Sequence, residues 1–493
     1  MSVFGRPPGQ QPSTAGSSNA GSSKASLRRK KDITYGIEFQ FLVAVVRNGD
    51  EDPHPRDTRG FVRWQPGSDY GALQKTIVDI ILNNVIRAAR FRAWTYNGPP
   101  YPDWDLVRRM DLASQSVAAG LAYTQWVVVA DEDSLWFPGQ IDDSPYGWIG
   151  VKVKTNKRNT NRINHFDRVA HFCTGIQHAL RIRTLPSSSL MIHVGEEFFD
   201  IMEYEMIPRS LRVFCTLWWF LESRIMALAH PSRHDHVRCR ALRDFSVLAH
   251  TSNRELERIT QESSMSEMNW ASCWQDQMRS IMPRNRLSLR EEAEVEFIWR
   301  VAEAKRLCQM LEVYTVEFVK MPVTGTREPQ PILGRGSIGL QGICENAWPE
   351  SPDRNNDGHT GTIEFRFMQG TCDPLLTAHW LAIVTRLFEI SRSGSDYSIM
   401  ALIFKCSRPH TKYSSIELLF DLGLFDQVQV FRDMQKDYAA EQQEANVVVP
   451  LVVPLAEENE GEGEGGEDGA EGSLGGEDEI SGSSSIDTIM STP

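Results

Sequence analysis

No Cys-x-x-Cys pair occurs in the chain, and its eight cysteines, at 173, 215, 239, 273, 308, 344, 372 and 406, are scattered. That excludes a dense disulfide framework and favours reduced thiols in a cytoplasmic or nuclear setting. The first residues, MSVFGRPPGQQPSTAGSS, lack the apolar core of a signal peptide. The longest apolar run, about Val213 to Leu221, is too short to cross a bilayer, so no membrane association is expected. Internal repeats are absent too. Residues 1–31 hold six basic groups and no acid, whereas 456–493 hold twelve acids and no Lys or Arg. The formal charge of -13 therefore reduces to about -7 for 32–455, which gives no reason to expect nucleic-acid binding.

Both ends also lack enough apolar residues to offset the entropy of ordering. They read as a disordered basic tail (1–31) and a disordered acidic tail (456–493), with Arg28-Arg29-Lys30-Lys31 as a solvated flank. The folded part lies between them, in a chain of 493 residues with 41% hydrophobic content. Helical periodicity predicts helices near 70–92, 165–182, 203–229, 287–320, 374–392 and 412–445, with Pro208 close to the start of the third. The tryptophans of that third helix read as core packing. Residues 92–148 read as loops around a short strand.

Four segments alternate apolar with polar residues, the signature of strands with one covered face. In YGIEFQF, Tyr35, Ile37, Phe39 and Phe41 oppose Glu38 and Gln40. In WIGVKVKTN, Ile149, Val151 and Val153 oppose Lys152 and Lys154. In SLMIHVG, Leu190, Ile192 and Val194 oppose Met191 and His193. In GTIEFRFMQGT, Ile363, Phe365 and Phe367 oppose Glu364, Arg366 and Met368. The fold expected is α+β: an antiparallel sheet with one polar, active-site face and the other face covered by helices. Carboxylates and an imidazole suit Mg²⁺, and a guanidinium suits a phosphate through two hydrogen bonds.

YGIEFQF, WVVVADEDSL, MIHVG, HPSRHDHVRCRALRDFS and GTIEFRFMQGTCDP occur in an order and at distances that resemble the fungal amidoligase-like proteins. These are carboxylate-amine ligases with a glutamine synthetase type of active-site sheet. The resemblance spans about 32–395, leaving 396–455 as a C-terminal helical extension. It implies ATP-dependent amide formation: ATP phosphorylates a small-molecule or peptide carboxylate, and an amine displaces phosphate from the acyl phosphate. ATP and Mg²⁺ are the implied cofactors. Carried over by position, Glu38, Gln40, His193 and Glu364 fall at metal positions. Arg366 and Arg233 fall at catalytic and phosphate-binding positions, with Cys239 and Ser246 in the continuation of the Arg233 loop. Lys152 is a candidate phosphate contact, and Asp131 or Asp133 with Ser134 fall near the substrate.

Three positions depart from the pattern. Gln40 and Lys152 stand where the family has acids, and Met191 stands where it has a histidine. The two lost carboxylates and the gained ammonium change the charge of the metal face by three units, and Lys152 is expected to pair with Glu38. The alternative is a catalytically degenerate, amidoligase-like binding or scaffold module. Two further patterns read as ordinary loops. DRNNDGHTGTIE matches a calcium-loop template at Asp353, Asn355, Asp357, Gly358 and Glu364, but the strand that follows makes it a polar hairpin loop. His230, His234, His236 and Cys239 match no standard zinc finger and read as a basic loop after a helix.

Overall fold

A computed structural model of the chain describes residues 32–446 except 66–69, 88–92, 96–125, 137–143, 163, 186–187, 197–206, 235, 238, 264–269, 284–286, 321–326, 334–335, 341–342 and 344–361. Both expected tails lie outside the described residues. The strands are β1 (Ile33–Arg47), β2 (Val62–Trp64), β3 (Ala93–Thr95), β4 (Trp126–Trp136), β5 (Gly147–Lys154), β6 (Arg158–Asn159), β7 (Ile182–Arg183), β8 (Ser189–Glu196), β9 (Tyr314–Lys320), β10 (Arg327–Leu333), β11 (Ile338–Gly339) and β12 (Thr362–Gln369). The main sheet runs β11-β12-β8-β1-β5-β4-β3, with β2, β6 and β7 also on β1; β9 and β10 form a separate hairpin. The pairing is mostly antiparallel, while β2 on β1 and β3 on β4 are parallel.

The helices are α1 (Tyr70–Ile81), α2 (Asp167–Ala179), α3 (Arg209–Met226), α4 (Leu242–Phe245), α5 (Val247–His250), α6 (Asn253–Ser263), α7 (Trp270–Ile281), α8 (Leu289–Arg300), α9 (Ala304–Met310), α10 (Pro374–Ser393), α11 (Asp396–Cys406), α12 (Ser415–Asp421) and α13 (Phe425–Asn446). The expected α+β class is the observed one. None of the described helices is long and apolar enough to cross a membrane. The described residues up to Glu441 form one compact unit.

The alternation of β1, β5, β8 and β12 works as expected. Tyr35, Phe39, Val153, Ile192, Val194, Ile363 and Phe365 are all fully buried on one face. Aromatic rings from the helices close over it: Phe172 of α2 packs 5.2 Å from Phe39, and Trp218 of α3 packs 5.5 Å from Phe365 and from Phe367. Trp380 of α10 meets Phe367 edge-on at 5.4 Å. Each such ring contributes burial of about 1.5–3 kcal/mol against exposure, which is why the sheet faces its helices in this register and no other.

Three expectations change. Met368, expected on the polar face, is fully buried, because a bulge between Phe365 and Met368 shifts β12 by one residue and sets Met368 opposite Leu190 on the core face. The expected helix 287–320 divides: Val301 turns extended after α8, α9 is short, and the β-branched run that follows forms β9. The short strand expected in 92–148 is the 11-residue β4, which carries its own irregularity between Asp131 and Leu135. Segment 412–445 is helical as expected, in two helices, α12 and α13, separated by the positive-φ Gly423.

Candidate functional site

The site follows from strand register. Residues directly opposite in an antiparallel pair share a face, so the pairing reads off the polar face row by row. Glu38 pairs with Lys154 on β5 and with Met191 on β8, while Gln40 pairs with Lys152. His193 lies between Gly36 on β1 and Glu364 on β12, and Gly339 of β11 pairs with Glu364. Arg366 sits in the β12 bulge, its main-chain N–H bonded to the carbonyl of Ser337. Four adjacent strands thus bring Glu38, Gln40, Lys152, His193, Glu364 and Arg366 onto one surface. Further along β1 the same face turns apolar. Leu42, Ala44 and Val46 are buried there with Tyr146 and Trp148 in a small second core.

Each described acid on this face, Glu38 and Glu364, has a cationic neighbour. Arg366 grips Glu364 through Nε at 2.6 Å and Nη2 at 2.8 Å, the fork geometry of a bidentate pair. Burial pushes the Glu364 carboxyl up, but Arg366, His193 and Lys154 outweigh it and hold the group at about 2. Glu38 pairs with the Lys154 ammonium at 3.4 Å. Burial raises the Glu38 carboxyl as well, and Lys154 followed by Lys152 brings it below its ordinary value. Burial lowers the Arg366 guanidinium, and the fields of Glu364, Glu38 and Glu312 raise it above its ordinary value. The Glu38 partner is therefore Lys154 and not the expected Lys152, because register sets Lys152 across from Gln40.

Gln40 is engaged at both ends. Its carbonyl oxygen accepts from the Ser189 N–H at 3.2 Å and the Ser189 hydroxyl at 2.8 Å, and its amide Nε2 donates to Glu38 at 3.4 Å. Gly339 gives the Arg366–Glu364 pair its room: a Cβ there would lie 3.3 Å from Arg366 Nη2 and 3.5 Å from Glu364 Oε2. Lys154, Ser189, Gly339 and Glu312 were not among the expected site residues. The alternation of β5 marked Lys154; the other three depend on tertiary placement.

Arg233 is brought to the same strand by a different route. It is almost fully buried, and its guanidinium donates to the main-chain carbonyls of Arg366 at 2.8 Å and Ser188 at 3.5 Å. Such contacts brace the bulge. Cys239 is buried, its thiol donating to the Arg233 carbonyl at 2.8 Å, and Ser246 caps α5 by accepting from the Ala249 N–H. Asp131 pairs with Gly150, two residues along β5 from Lys152, and Asp133 and Ser134 fall in the irregular stretch before Leu135. The side chains of Asp131, Asp133 and Ser134 lie outside the described residues.

The calcium-loop positions Asp353, Asn355, Asp357 and Gly358 also lie outside the described residues. In the histidine loop, His230 bonds Ser232 at 2.7 Å and His234 bonds the Met226 carbonyl at 2.8 Å.

Magnesium requires oxygen ligands in near-octahedral geometry. Here the carboxylates of Glu38 and Glu364 are ion-paired, the Gln40 carbonyl oxygen accepts two hydrogen bonds from Ser189, and Lys152 and Lys154 add repulsion. Among the described residues no group of three or more His, Cys, Asp or Glu side chains is placed to hold a metal ion. The described residues do not fit Mg²⁺. Three cationic groups, Lys152, Lys154 and Arg366, stand on this face, and Lys154 and Arg366 pair with Glu38 and Glu364. Comparison with protein-family models, curated proteins and solved structures finds no match, so the amidoligase resemblance rests on the sequence motifs.

Proposed function

We propose that the chain is a catalytically degenerate, amidoligase-like protein: a binding module that keeps the sheet and its polar face without Mg²⁺-dependent ligation. The observation that carries this reading is the internal neutralisation of the two described face acids, Glu38 by Lys154 and Glu364 by Arg366. Charge that a metal would balance is balanced by side chains. The seven described cysteines are all free, which accords with a reducing compartment, cytoplasmic or nuclear.

The test is ADP formation from ATP and Mg²⁺ with pooled small carboxylates and amines. The reading expects no ADP above background in the parent. Turnover that disappears in Arg366→Ala would overturn it in favour of the ligase. The paired substitution Gln40→Glu with Lys152→Glu restores two acids and should create Mg²⁺ binding that the parent lacks.

A further inference from the structure

The end of α11 and the loop after it read KCSRPHTKY, residues 405–413, a basic stretch outside the span of the amidoligase resemblance. The Lys405 ammonium pairs with Asp421 of α12 at 2.7 Å, and Asp421 also accepts from the Tyr413 hydroxyl at 2.6 Å. The buried Tyr413 side chain anchors the loop, and the Lys412 and Tyr413 N–H groups close a turn on the Pro409 carbonyl. Phe404, Ser407, Arg408, Pro409 and Lys412 line a cavity of about 340 Å³, within the roughly 300–1,000 Å³ usual for small-molecule sites. The Arg408 guanidinium stands 4.7 Å over the Phe404 ring, a cation–π contact that fixes its plane. Neither Arg408 nor Lys412 is paired with an acid among the described residues. The C-terminal end of a helix repels an anion unless its carbonyls are occupied. Here the Phe404 carbonyl accepts from the Ser407 hydroxyl at 2.9 Å, and the buried Arg224 of α3 donates to the carbonyls of Cys406, at 3.4 Å, and Arg408. Arg224 thus adds a third cation beneath the loop.

We infer that this cavity binds a small phosphate monoester with an apolar body, its phosphate between Arg408 and Lys412 and its body against Phe404 and Pro409. A phosphate monoester carries about −1.5 to −2 charge at neutral pH, so it suits two cations without acid partners better than a singly charged carboxylate does. Arg408 offers a planar fork of donors, and Lys412 a compact charge on a flexible stem. Inorganic phosphate alone would leave the Phe404 and Pro409 wall uncovered. No residue of the polar face lines the cavity, and binding here is independent of whether that face ligates.

The experiment is isothermal titration of the full chain with phenyl phosphate at low ionic strength, with inorganic phosphate and benzoate as comparison ligands. Phenyl phosphate should bind at least about tenfold tighter than either. Lys412→Gln should weaken it about tenfold and Lys412→Glu more, while Lys412→Arg keeps it within about threefold. Circular dichroism checks that each variant is folded. Equal binding of benzoate would overturn the phosphate assignment, and equal binding of inorganic phosphate would overturn the seat for the apolar body. No binding of phenyl phosphate, or binding indifferent to Lys412→Gln in a folded variant, would overturn the site.

Discussion

The two faces of the central sheet are made by alternate residues of the same four strands, yet they are held in opposite ways. On one, Tyr35, Phe39, Ile192 and Phe365 are buried under Phe172, Trp218 and Trp380, and the energy is spread over many apolar contacts. On the other, a few charged groups are tied in pairs, Glu38 to Lys154 and Glu364 to Arg366. Removing one ring from the first face leaves a cavity. Removing one charge from the second leaves its partner uncompensated. The comparison teaches that the polar face has an electrostatic structure of its own, closed by side chains and tunable one pair at a time.

The largest expected effect lies on the core face. Phe365 packs 5.8 Å from Phe214 and 5.5 Å from Trp218, so Phe365→Ala should cost about 3–5 kcal/mol in urea unfolding. A loss below about 1 kcal/mol would mean that the helices do not close on this face.

On the polar face, Arg366→Met strands the Glu364 carboxylate. Both side chains keep under one fifth of their surface exposed, so the cost should be about 2–3 kcal/mol, short of a fully buried pair. Adding Glu364→Leu should recover most of it, and the double-mutant cycle measures the coupling. Single-variant losses that simply add in the double variant would show that the pair does not interact.

A third, smaller effect is on pH. The Glu364 carboxyl lies at about 2 in the folded chain against an ordinary 4.5. A depressed carboxyl contributes stability that is present above 4.5 and lost as pH falls toward 2. Between pH 5 and pH 3 the parent should therefore lose about 1–2 kcal/mol more than Glu364→Gln, after allowance for solvent screening. Parallel curves for the two proteins would contradict the pairing.

The smallest effect is expected at Gly339. Gly339→Ala presses a methyl group against Arg366 and Glu364 at 3.3–3.5 Å, costing about 0.5–1 kcal/mol as the pair shifts. The Glu364 titration midpoint should rise with it.

The core face was legible because alternation with period two survives in the sequence whenever one side is buried. The polar face was legible as a set of residue types, and Glu38, Gln40, His193, Glu364 and Arg366 do share a surface. Their partners were not legible, because partnership depends on register: Lys154 and not Lys152 lies opposite Glu38. The bulge that buries Met368 has no local signal in GTIEFRFMQGT, since either register offers an apolar residue to the core. Arg233 carried the chemistry of a phosphate ligand in its residue type alone, and its burial against the Arg366 carbonyl is a tertiary fact. Helices α6 and α7 escaped notice, whereas α11 lies within the expected helical extension 396–455. In α6, Leu256 and Ile259 are the buried apolar positions on an otherwise charged segment, too sparse a stripe for periodicity to mark.

The central claim is that side chains replace a metal on the polar face. Its most direct test is Mn²⁺ binding, followed by paramagnetic resonance as a stand-in for Mg²⁺, in the parent and in the Gln40→Glu, Lys152→Glu variant. The account predicts no bound Mn²⁺ in the parent up to millimolar concentration and a bound ion in the variant. Stoichiometric Mn²⁺ binding by the parent, lost in Glu38→Gln or Glu364→Gln, would contradict it.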